Sequence, residues 1–305
     1  MILITAPVHP HLPDTLKKKG YEVVYEPLIT YTELSEKIEN ATGLVVTTRL
    51  PIDATLIDKA SNLKWIGRLG SGMELIDADY AARRNIKCVS SPEGNRNAVA
   101  EHCLGLLLCL EQNIMKSSRE VSEGNWLREE NRGTEIFGKT IGLVGYGNTG
   151  EAFARILSGF KPTILAFDKY RYGFGKGLLK EANLEQICRY ADVISFHVPL
   201  TDETRHMANA DFFDSLKKKP VLLNTSRGAV VDTQALVDAV RDGKISGAGL
   251  DVLENEKLTT LNASEKERLS FLANHPRVVI TPHIAGYTHE AFLKMSEILI
   301  KKLKL

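Results

Sequence analysis

The chain has 305 residues, of which 43% are hydrophobic and 25% charged, a balance that excludes a disordered or fibrous protein. A length of this order predicts two domains. The formal net charge of +1 gives no general pull toward nucleic acid or an anionic membrane, and the runs Lys17-Lys18-Lys19 and Lys217-Lys218-Lys219 read as solvated helix ends.

The first third alternates short apolar runs with amphipathic ones. Residues 2–5, 22–25, 44–47, 64–68 and 87–90 are predicted strands, the first stopping at Pro7. Between them, 32–39, 54–60 and 77–84 carry helical patterns, with Gly20 and Asn85 placed where a helix ends and the chain turns. Strands separated by helices of this length imply βαβ units and a parallel sheet. A single long helix is expected over 98–118, apolar on most of its circumference and therefore buried on several sides. The charged stretch 119–134, with Trp126 inside it, reads as a linker or an arm that packs on something else.

The alternation then restarts. Strands are predicted at 140–144, 163–168, 193–197, 221–224, 247–250 and 278–281, and helices at 148–160, 211–216 and 233–241. The polar stretch 258–267 reads as a loop, and 290–305 as an amphipathic helix. No fixed-period repeat is present, so the two halves do not form a solenoid. The expected fold is α/β, with two doubly wound Rossmann-like domains built on parallel sheets.

The cysteines Cys88, Cys103, Cys109 and Cys188 form no CxxC pair, which argues against a zinc knuckle or a redox dithiol, and no metal site is expected. The N-terminus lacks the basic flank and cleavage site of a signal peptide. The longest apolar run, 103–110, is shorter than the ~20 residues a membrane span needs. A cytoplasmic protein without membrane or nucleic-acid partners is expected.

Motifs then narrow the function. Ile141-Gly142-Leu143-Val144 leads into Gly145-Tyr146-Gly147-Asn148-Thr149-Gly150, a GxGxxG between a strand and a helix. Gly145 permits the tight turn, Gly147 the approach of a pyrophosphate, and Gly150 close packing of helix on strand. The helix N-terminus then faces the phosphates with free N–H groups. Asp168 ends the next strand, where its carboxylate would accept from the adenosine ribose hydroxyls and repel a 2′-phosphate. NAD is thus favoured over NADP, although Lys169 and Arg171 stand nearby.

Three polar residues follow predicted strands, at the edge where open α/β sheets bind ligands. Arg227 follows 221–226, Glu256 follows 248–253 and His283 follows 278–282. Reduction of a keto acid needs a cation to hold the carboxylate, and arginine offers a fixed fork of donors. It also needs a proton donor for the forming alkoxide, which suits histidine. A glutamate beside the imidazole would orient the ring and favour its charged form. Singly, each has a structural explanation; together, downstream of a dinucleotide fingerprint, they point to hydride transfer.

The ordered motifs resemble the D-isomer-specific 2-hydroxyacid dehydrogenase family, in its phosphoglycerate dehydrogenase-like branch. They are Val144 to Gly150, His197-Val198-Pro199 with the following Leu-Thr-Asp-Glu-Thr-Arg205, Asn224-Thr225-Ser226-Arg227 through Asp232, Gly249 through Glu256, and Thr281-Pro282-His283 through Gly286. The resemblance covers nearly the whole chain. It implies His283 as acid/base, Glu256 as its carboxylate partner and Arg227 as the substrate's grip. Asp251 is similar to the aspartate that contacts the nicotinamide carboxamide. His197, Val198 and Pro199 resemble the lining of the adenosine pocket, and Thr225 and Ser226 the strand end beneath the nicotinamide.

The segment Arg68-Leu69-Gly70-Ser71-Gly72 is similar to the loop whose N–H groups bind the substrate carboxylate, with Gly70, Ser71 and Gly72 as its members. Arg49 falls where phosphoglycerate-type members place a basic residue near the substrate's far end, which would tie the chain to serine biosynthesis. The resemblance further implies a split substrate domain of flavodoxin-like type, 1–97 plus 286–305, an NAD-binding Rossmann domain over 98–285, and a homodimer through the NAD domain. The family usually has proline after the catalytic glutamate, whereas Lys257 stands here; Glu254 is the fallback if the loop is shifted. The chain ends after the returning helix, so feedback by serine through an added domain is not expected.

The resulting expectation is hydride transfer between NAD and C2 of a small D-2-hydroxy or 2-keto acid, 3-phosphoglycerate or glycerate/hydroxypyruvate. An NAD(H)-sensing protein like the C-terminal-binding corepressors would keep the same residues, as would hydride chemistry on a non-carboxylate such as phosphite.

Overall fold

A computed structural model describes all residues, Met1–Leu305, and divides the chain into two compact units. One comprises Met1–Arg96 with Gly286–Leu305, the other Asn97–Ala285.

The first unit holds strands β1 (Ile2–Ile4), β2 (Val23–Tyr25), β3 (Gly43–Val46), β4 (Trp65–Arg68) and β5 (Lys87–Ser90), all parallel in the order β2-β1-β3-β4-β5. This is the flavodoxin-like winding. The intervening helices are α1 (His11–Lys18), α2 (Tyr31–Lys37), α3 (Ala54–Lys59) and α4 (Ala78–Arg83). Alternate residues of β1 serve opposite faces, as a period of two requires. Leu3 packs with Leu34, Leu56 and Ile66, while Ile2 and Ile4 pack with Leu12, Leu16 and Leu299 of the returning helix. Helix starts are capped by Thr30, Asp53 and Asp77, each side chain accepting an N–H of the first turn.

The chain passes to the second unit within α5 (Pro92–Glu111). The helix expected over 98–118 starts earlier and is broken. Pro92 stands at the first helical position, where its missing N–H costs nothing. Asn113 adopts a left-handed conformation (φ 53°), and α6 (Ile114–Ser122) leaves in a new direction. Asparagine tolerates this backbone better than most residues. Its side chain is also used, donating to the Arg132 carbonyl and accepting from Arg277.

The second unit contains a seven-stranded parallel sheet in the order β12-β11-β10-β9-β6-β7-β8. The strands are β6 (Thr140–Val144), β7 (Thr163–Phe167), β8 (Leu179–Glu181), β9 (Val193–Phe196), β10 (Val221–Asn224), β11 (Gly247–Leu250) and β12 (Val278–Ile280). Strand order reverses between β6 and β9, which opens a crevice at their carboxyl ends. The helices are α7 (Asn148–Leu157), α8 (Leu184–Tyr190), α9 (Ala210–Ser215), α10 (Thr233–Arg241) and α11 (Ala263–Asn274). The last helix, α12 (His289–Leu303), belongs to the first unit.

Three elements of the second unit depart from the sequence expectation, the first being the short, partly exposed strand β8. The segment read as a polar loop holds a short 3-10 turn, Leu258–Thr260, followed by α11. Asn262 and Glu265 there form a reciprocal capping box, and Asn183 with Gln186 does the same for α8. Apolar residues fill both sheet faces: Val144, Phe196 and Leu222 on one, Ile141, Leu143, Phe153 and Leu223 on the other. No helix is long and apolar enough to cross a membrane. Phe153 is fully buried among Ala100, Leu107 and Leu143, so Phe153→Ala should cost about 3–5 kcal/mol. Urea denaturation followed by circular dichroism should show a lowered midpoint with an unchanged slope.

Candidate active site

Because every strand of the second unit is parallel, His197, Arg227, Asp251, Glu256 and His283 all follow carboxyl ends on one edge of one sheet. The glycine loop follows the same edge of β6. Gly145 has φ +99°, and a Cβ there would lie 2.5 Å from the His197 carbonyl oxygen. At Gly150 a Cβ would meet the Gly145 carbonyl at 2.3 Å, whereas the space above Gly147 is open. Gly147 also caps α7 and brings no side chain to the start of the helix. A bare helix N-terminus beneath an open backbone is what a pyrophosphate requires. The residues present therefore fit a dinucleotide.

Asp168 sits just past β7 and faces this loop. Its Oδ2 accepts the Tyr146 N–H (2.8 Å), and its Oδ1 accepts those of Tyr170 (2.9 Å) and Arg171 (3.0 Å). A carboxylate has about four acceptor positions, so fewer remain for ribose hydroxyls than the sequence suggests. The neighbouring cations are engaged. Lys169 pairs with Glu203, while Arg171 donates to the Tyr146 carbonyl, approaches Glu151 and lies over the Tyr146 ring.

The residues expected around adenosine and nicotinamide do more structural work than anticipated. His197 is buried, its Nε2 is 2.9 Å from Ser195 Oγ, and burial pushes its pKa down to about 4, so the ring is neutral. Val198 is half-buried and Pro199 exposed. Thr225 Oγ1 contacts the buried Cys103 sulfur at 3.0 Å. Ser226 donates from both N–H and hydroxyl to Asn224 Oδ1, and Asn224 Nδ2 donates to the Arg227 carbonyl. Asn224, which the sequence did not single out, thus shapes the turn presenting Arg227. Arg227 also donates to the Ser226 carbonyl at 2.6 Å.

His283 lies in the left-handed region at φ +56°. The turn that imposes this is held from below by Asp251, almost fully buried. Asp251 Oδ1 accepts the Thr281 hydroxyl (2.5 Å) and the Ile284 N–H (2.9 Å), and Oδ2 accepts the Ala285 N–H (2.7 Å). His102 completes the cluster, with Nε2 2.9 Å from Thr281 Oγ1. Asp251 is therefore a clamp on the histidine turn, a role its expected contact with a carboxamide did not suggest. Only its position after a strand could have signalled this.

His283 Nδ1 meets Glu256 Oε2 at 2.9 Å, and both side chains remain solvent-accessible (42% and 45%). The hydrogen bond to Glu256 is the main cause that raises the imidazole pKa; the charges of Glu256 and Asp251 add to it, and burial and Arg227 oppose it. For Glu256, burial works upward. It is outweighed by the His283 hydrogen bond and charge, the Leu253 backbone and the Arg227 charge, which leave the carboxyl below its usual range. The fallback Glu254 is turned elsewhere, toward His206 and Thr233.

In the first unit, Gly70 has φ +131°, and its N–H is taken by Ser91 Oγ (3.2 Å). Arg68, nearly buried, folds back to donate to the Leu69 and Gly72 carbonyls and so stiffens the loop. The Ser71 hydroxyl lies 3.4 Å from Asn95 Oδ1. Arg49 is anchored within its own unit. Its guanidinium donates to the Thr5 carbonyl (3.0 Å and 3.3 Å) and to that of Ile29, tying β1 to the loop before α2. No group of side chains that could hold a metal ion is present.

The chain is similar to known proteins in sequence and in fold. Residues 104–285 match the model of the D-isomer specific 2-hydroxyacid dehydrogenase, NAD binding domain. The chain is 33% identical to the D-3-phosphoglycerate dehydrogenase of Methanocaldococcus jannaschii over 99% of its own length, but spans 56% of that protein. It is 34% identical to the hydroxypyruvate reductase of Thermotoga maritima, over 94% of this chain and 92% of that one. The crystal structure of an Aquifex aeolicus D-lactate dehydrogenase complexed with NAD and lactic acid superposes with a TM-score of 0.85 at 27% identity, covering 100% of this chain and 94% of that one.

These matches define the class: an α/β dinucleotide-binding protein of the hydroxyacid dehydrogenase type. The chain belongs to the D-isomer specific 2-hydroxyacid dehydrogenase family, and its cofactor is NAD. Because the Gly145 backbone is strained for any L side chain and abuts the His197 carbonyl, Gly145→Ala should weaken NADH binding by tenfold or more, at least ~1.4 kcal/mol. Titration of NADH fluorescence will check this, with circular dichroism to confirm folding.

Proposed function

We propose that the protein is an NAD-dependent dehydrogenase that interconverts a small 2-keto acid and its D-2-hydroxy acid. The observation that carries this reading is the His283–Glu256 pair, which lies on the same sheet edge as Arg227 and the glycine loop. Reduction of a ketone leaves an alkoxide that must gain a proton. NADH, when bound, supplies the hydride; the remaining tasks fall to this chain. Arg227 holds the carboxylate with its planar fork. His283, charged through its contact with Glu256, gives the Nε2 proton to the carbonyl oxygen, since Nδ1 is committed to the carboxylate. Glu256 fixes the ring and stabilises the imidazolium. Asp251 holds the backbone that aims His283, and the assignment of Gly70, Ser71 and Gly72 to carboxylate binding belongs to the same proposal.

Among substrates, we favour the hydroxypyruvate and glyoxylate class over phosphohydroxypyruvate. Arg49, the residue expected near the substrate's far end, turns Nε and Nη2 toward two backbone carbonyls, which leaves it fewer donors for a phosphate. One relative above is a hydroxypyruvate reductase, and a Thermofilum pendens glyoxylate reductase is 37% identical over 89% of this chain and 80% of that one. The corepressor-like reading finds no support among these relatives. A homodimer formed through α5, α6 and the following arm would cover Ile114, Met115, Val121 and Trp126, all of which stand exposed. Four free thiols support a reducing compartment such as the cytoplasm.

His283→Ala should lower kcat by about 10²–10⁴-fold while leaving the Kd for NADH within about twofold. Since His283 titrates above its ordinary value, reductive kcat/KM should be level at low pH and fall as pH rises through that raised pKa. Oxidation of the hydroxy acid, which needs the neutral ring, should rise over the same interval. Rates of NADH oxidation with hydroxypyruvate, glyoxylate, pyruvate and 3-phosphohydroxypyruvate test the substrate. A clear preference for the phosphorylated compound would return Arg49 to substrate binding. Silence with all four, despite NADH binding, would sink the reading.

A further inference from the structure

Glu256 must meet His283 accurately, yet it lies in an irregular stretch between β11 and the 3-10 turn Leu258–Thr260, and its carboxylate is substantially exposed. Something other than regular secondary structure holds it in place. Two residues before it, Glu254 makes a pair of contacts to another part of the sheet edge. Its Oε1 is 2.6 Å from His206 Nε2, and its Oε2 accepts the Thr233 N–H at 2.8 Å. Thr233 opens α10, whose cap Asp232 also lies near His206 (Nδ1 to Oδ2, 3.8 Å).

His206 is itself constrained. It has φ +49°, and its N–H donates to the Ala229 carbonyl at 2.7 Å. The backbone on either side closes the staple. A Cβ on Gly228 would lie 1.9 Å from the Leu253 carbonyl and 2.4 Å from the Glu254 nitrogen, so the peptide before Glu254 rests directly on the residue after Arg227. On the far side, Asn255 Oδ1 accepts the Lys257 N–H at 3.1 Å, and Nδ2 reaches Thr260 and Glu265 at 3.4 Å.

We propose that Glu254, anchored by His206 and the Thr233 amide, is a positioning residue that keeps Glu256 facing His283 and fixes it relative to Arg227. Glu254 has no part in the proton transfer itself. Both of its oxygens are directed at the anchor, and its effect passes through the chain to Glu256. An unanchored loop would let Glu256 swing into solvent, leaving the imidazole without the partner that orients and charges it. This inference rests on the pairing of Glu256 with His283 proposed above, and the test separates the two.

The test is a pH titration of the His283 imidazole by NMR with labelled histidine. The resonance is assigned by its loss in His283→Gln, and the titration is run on wild type, Glu254→Ala, Glu256→Gln and the double variant. The groups facing His283 are Glu256, Asp251 and Arg227; those facing His206 are Glu254 and Asp232. Glu256→Gln should lower the His283 midpoint. Glu254→Ala should lower it in the same direction by a smaller amount, and the double variant should match Glu256→Gln alone.

In turnover, Glu254→Ala should reduce kcat about tenfold, with the Kd for NADH within about twofold. Glu254→Gln, which can still accept from Thr233, should recover most of the loss. If Glu254→Ala does not fold, His206→Asn removes one anchor and should shift the His283 midpoint less but in the same sense. An unmoved midpoint in these variants, or additive effects in the double variant, would overturn the positioning role. A midpoint that Glu256→Gln leaves unmoved would instead overturn the His283–Glu256 pairing.

Discussion

Parallel strand pairing is the constraint on which the site depends. A parallel ladder cannot be closed by hairpins, so each strand must be followed by a crossover before the next begins. In the NAD-binding unit this leaves seven carboxyl ends on a single edge, each followed by residues outside regular strand structure. Residues separated by well over a hundred positions, such as Gly145 and His283, are thereby brought to one surface. Both sheet faces are packed with apolar side chains, which makes the register costly to shift. The chemistry can therefore sit on irregular backbone without losing its geometry.

That irregular backbone is held by a small set of polar groups, of which Asp251 and Asn224 are buried and Asp168 partly so. Asp251 commits both oxygens to the turn of His283, Asn224 commits its amide to the turn of Arg227, and Asp168 commits three acceptor positions around the glycine loop. A buried carboxylate without such donors would be strongly unfavourable. Here the donors are the N–H groups of the very loops that must be shaped, so satisfying the charge and ordering the loop are one event. In the first unit Arg68 does the converse, a buried cation satisfied by the carbonyls of its own loop.

Much of this was legible in the sequence because it rests on local rules. The alternation of apolar runs with amphipathic stretches located eleven of the twelve strands to within a residue or so; β8, three residues long and partly exposed, carried too little pattern. The glycine spacing and Asp168 depend on backbone constraints that only those residue types satisfy. What escaped reading depended on tertiary partners. The break at Asn113 is secured by Arg277 and Arg132, distant in sequence, and α11 is polar on too many sides for periodicity to reveal it. Its Asn262–Glu265 box was the available signal. The contacts of Arg49 were equally out of reach, because the carbonyls it donates to, those of Thr5 and Ile29, lie on other segments.

The two histidines near the glycine loop and the catalytic edge divide the response to acid between them. His283 holds a proton more readily than an ordinary imidazole because of Glu256, whereas His197, sealed beside Phe153 and bonded to Ser195, resists one down to about pH 4. An unfolded chain would protonate His197 near 6.5, so between that value and 4 acid progressively favours unfolding. The full effect is on the order of 3 kcal/mol, at ~1.4 kcal/mol per pH unit. Mild acidification thus keeps the proton donor loaded while drawing on the stability of the strand end that buttresses Gly145. Acid therefore acts first on the fold around His197, not on the supply of protons at His283.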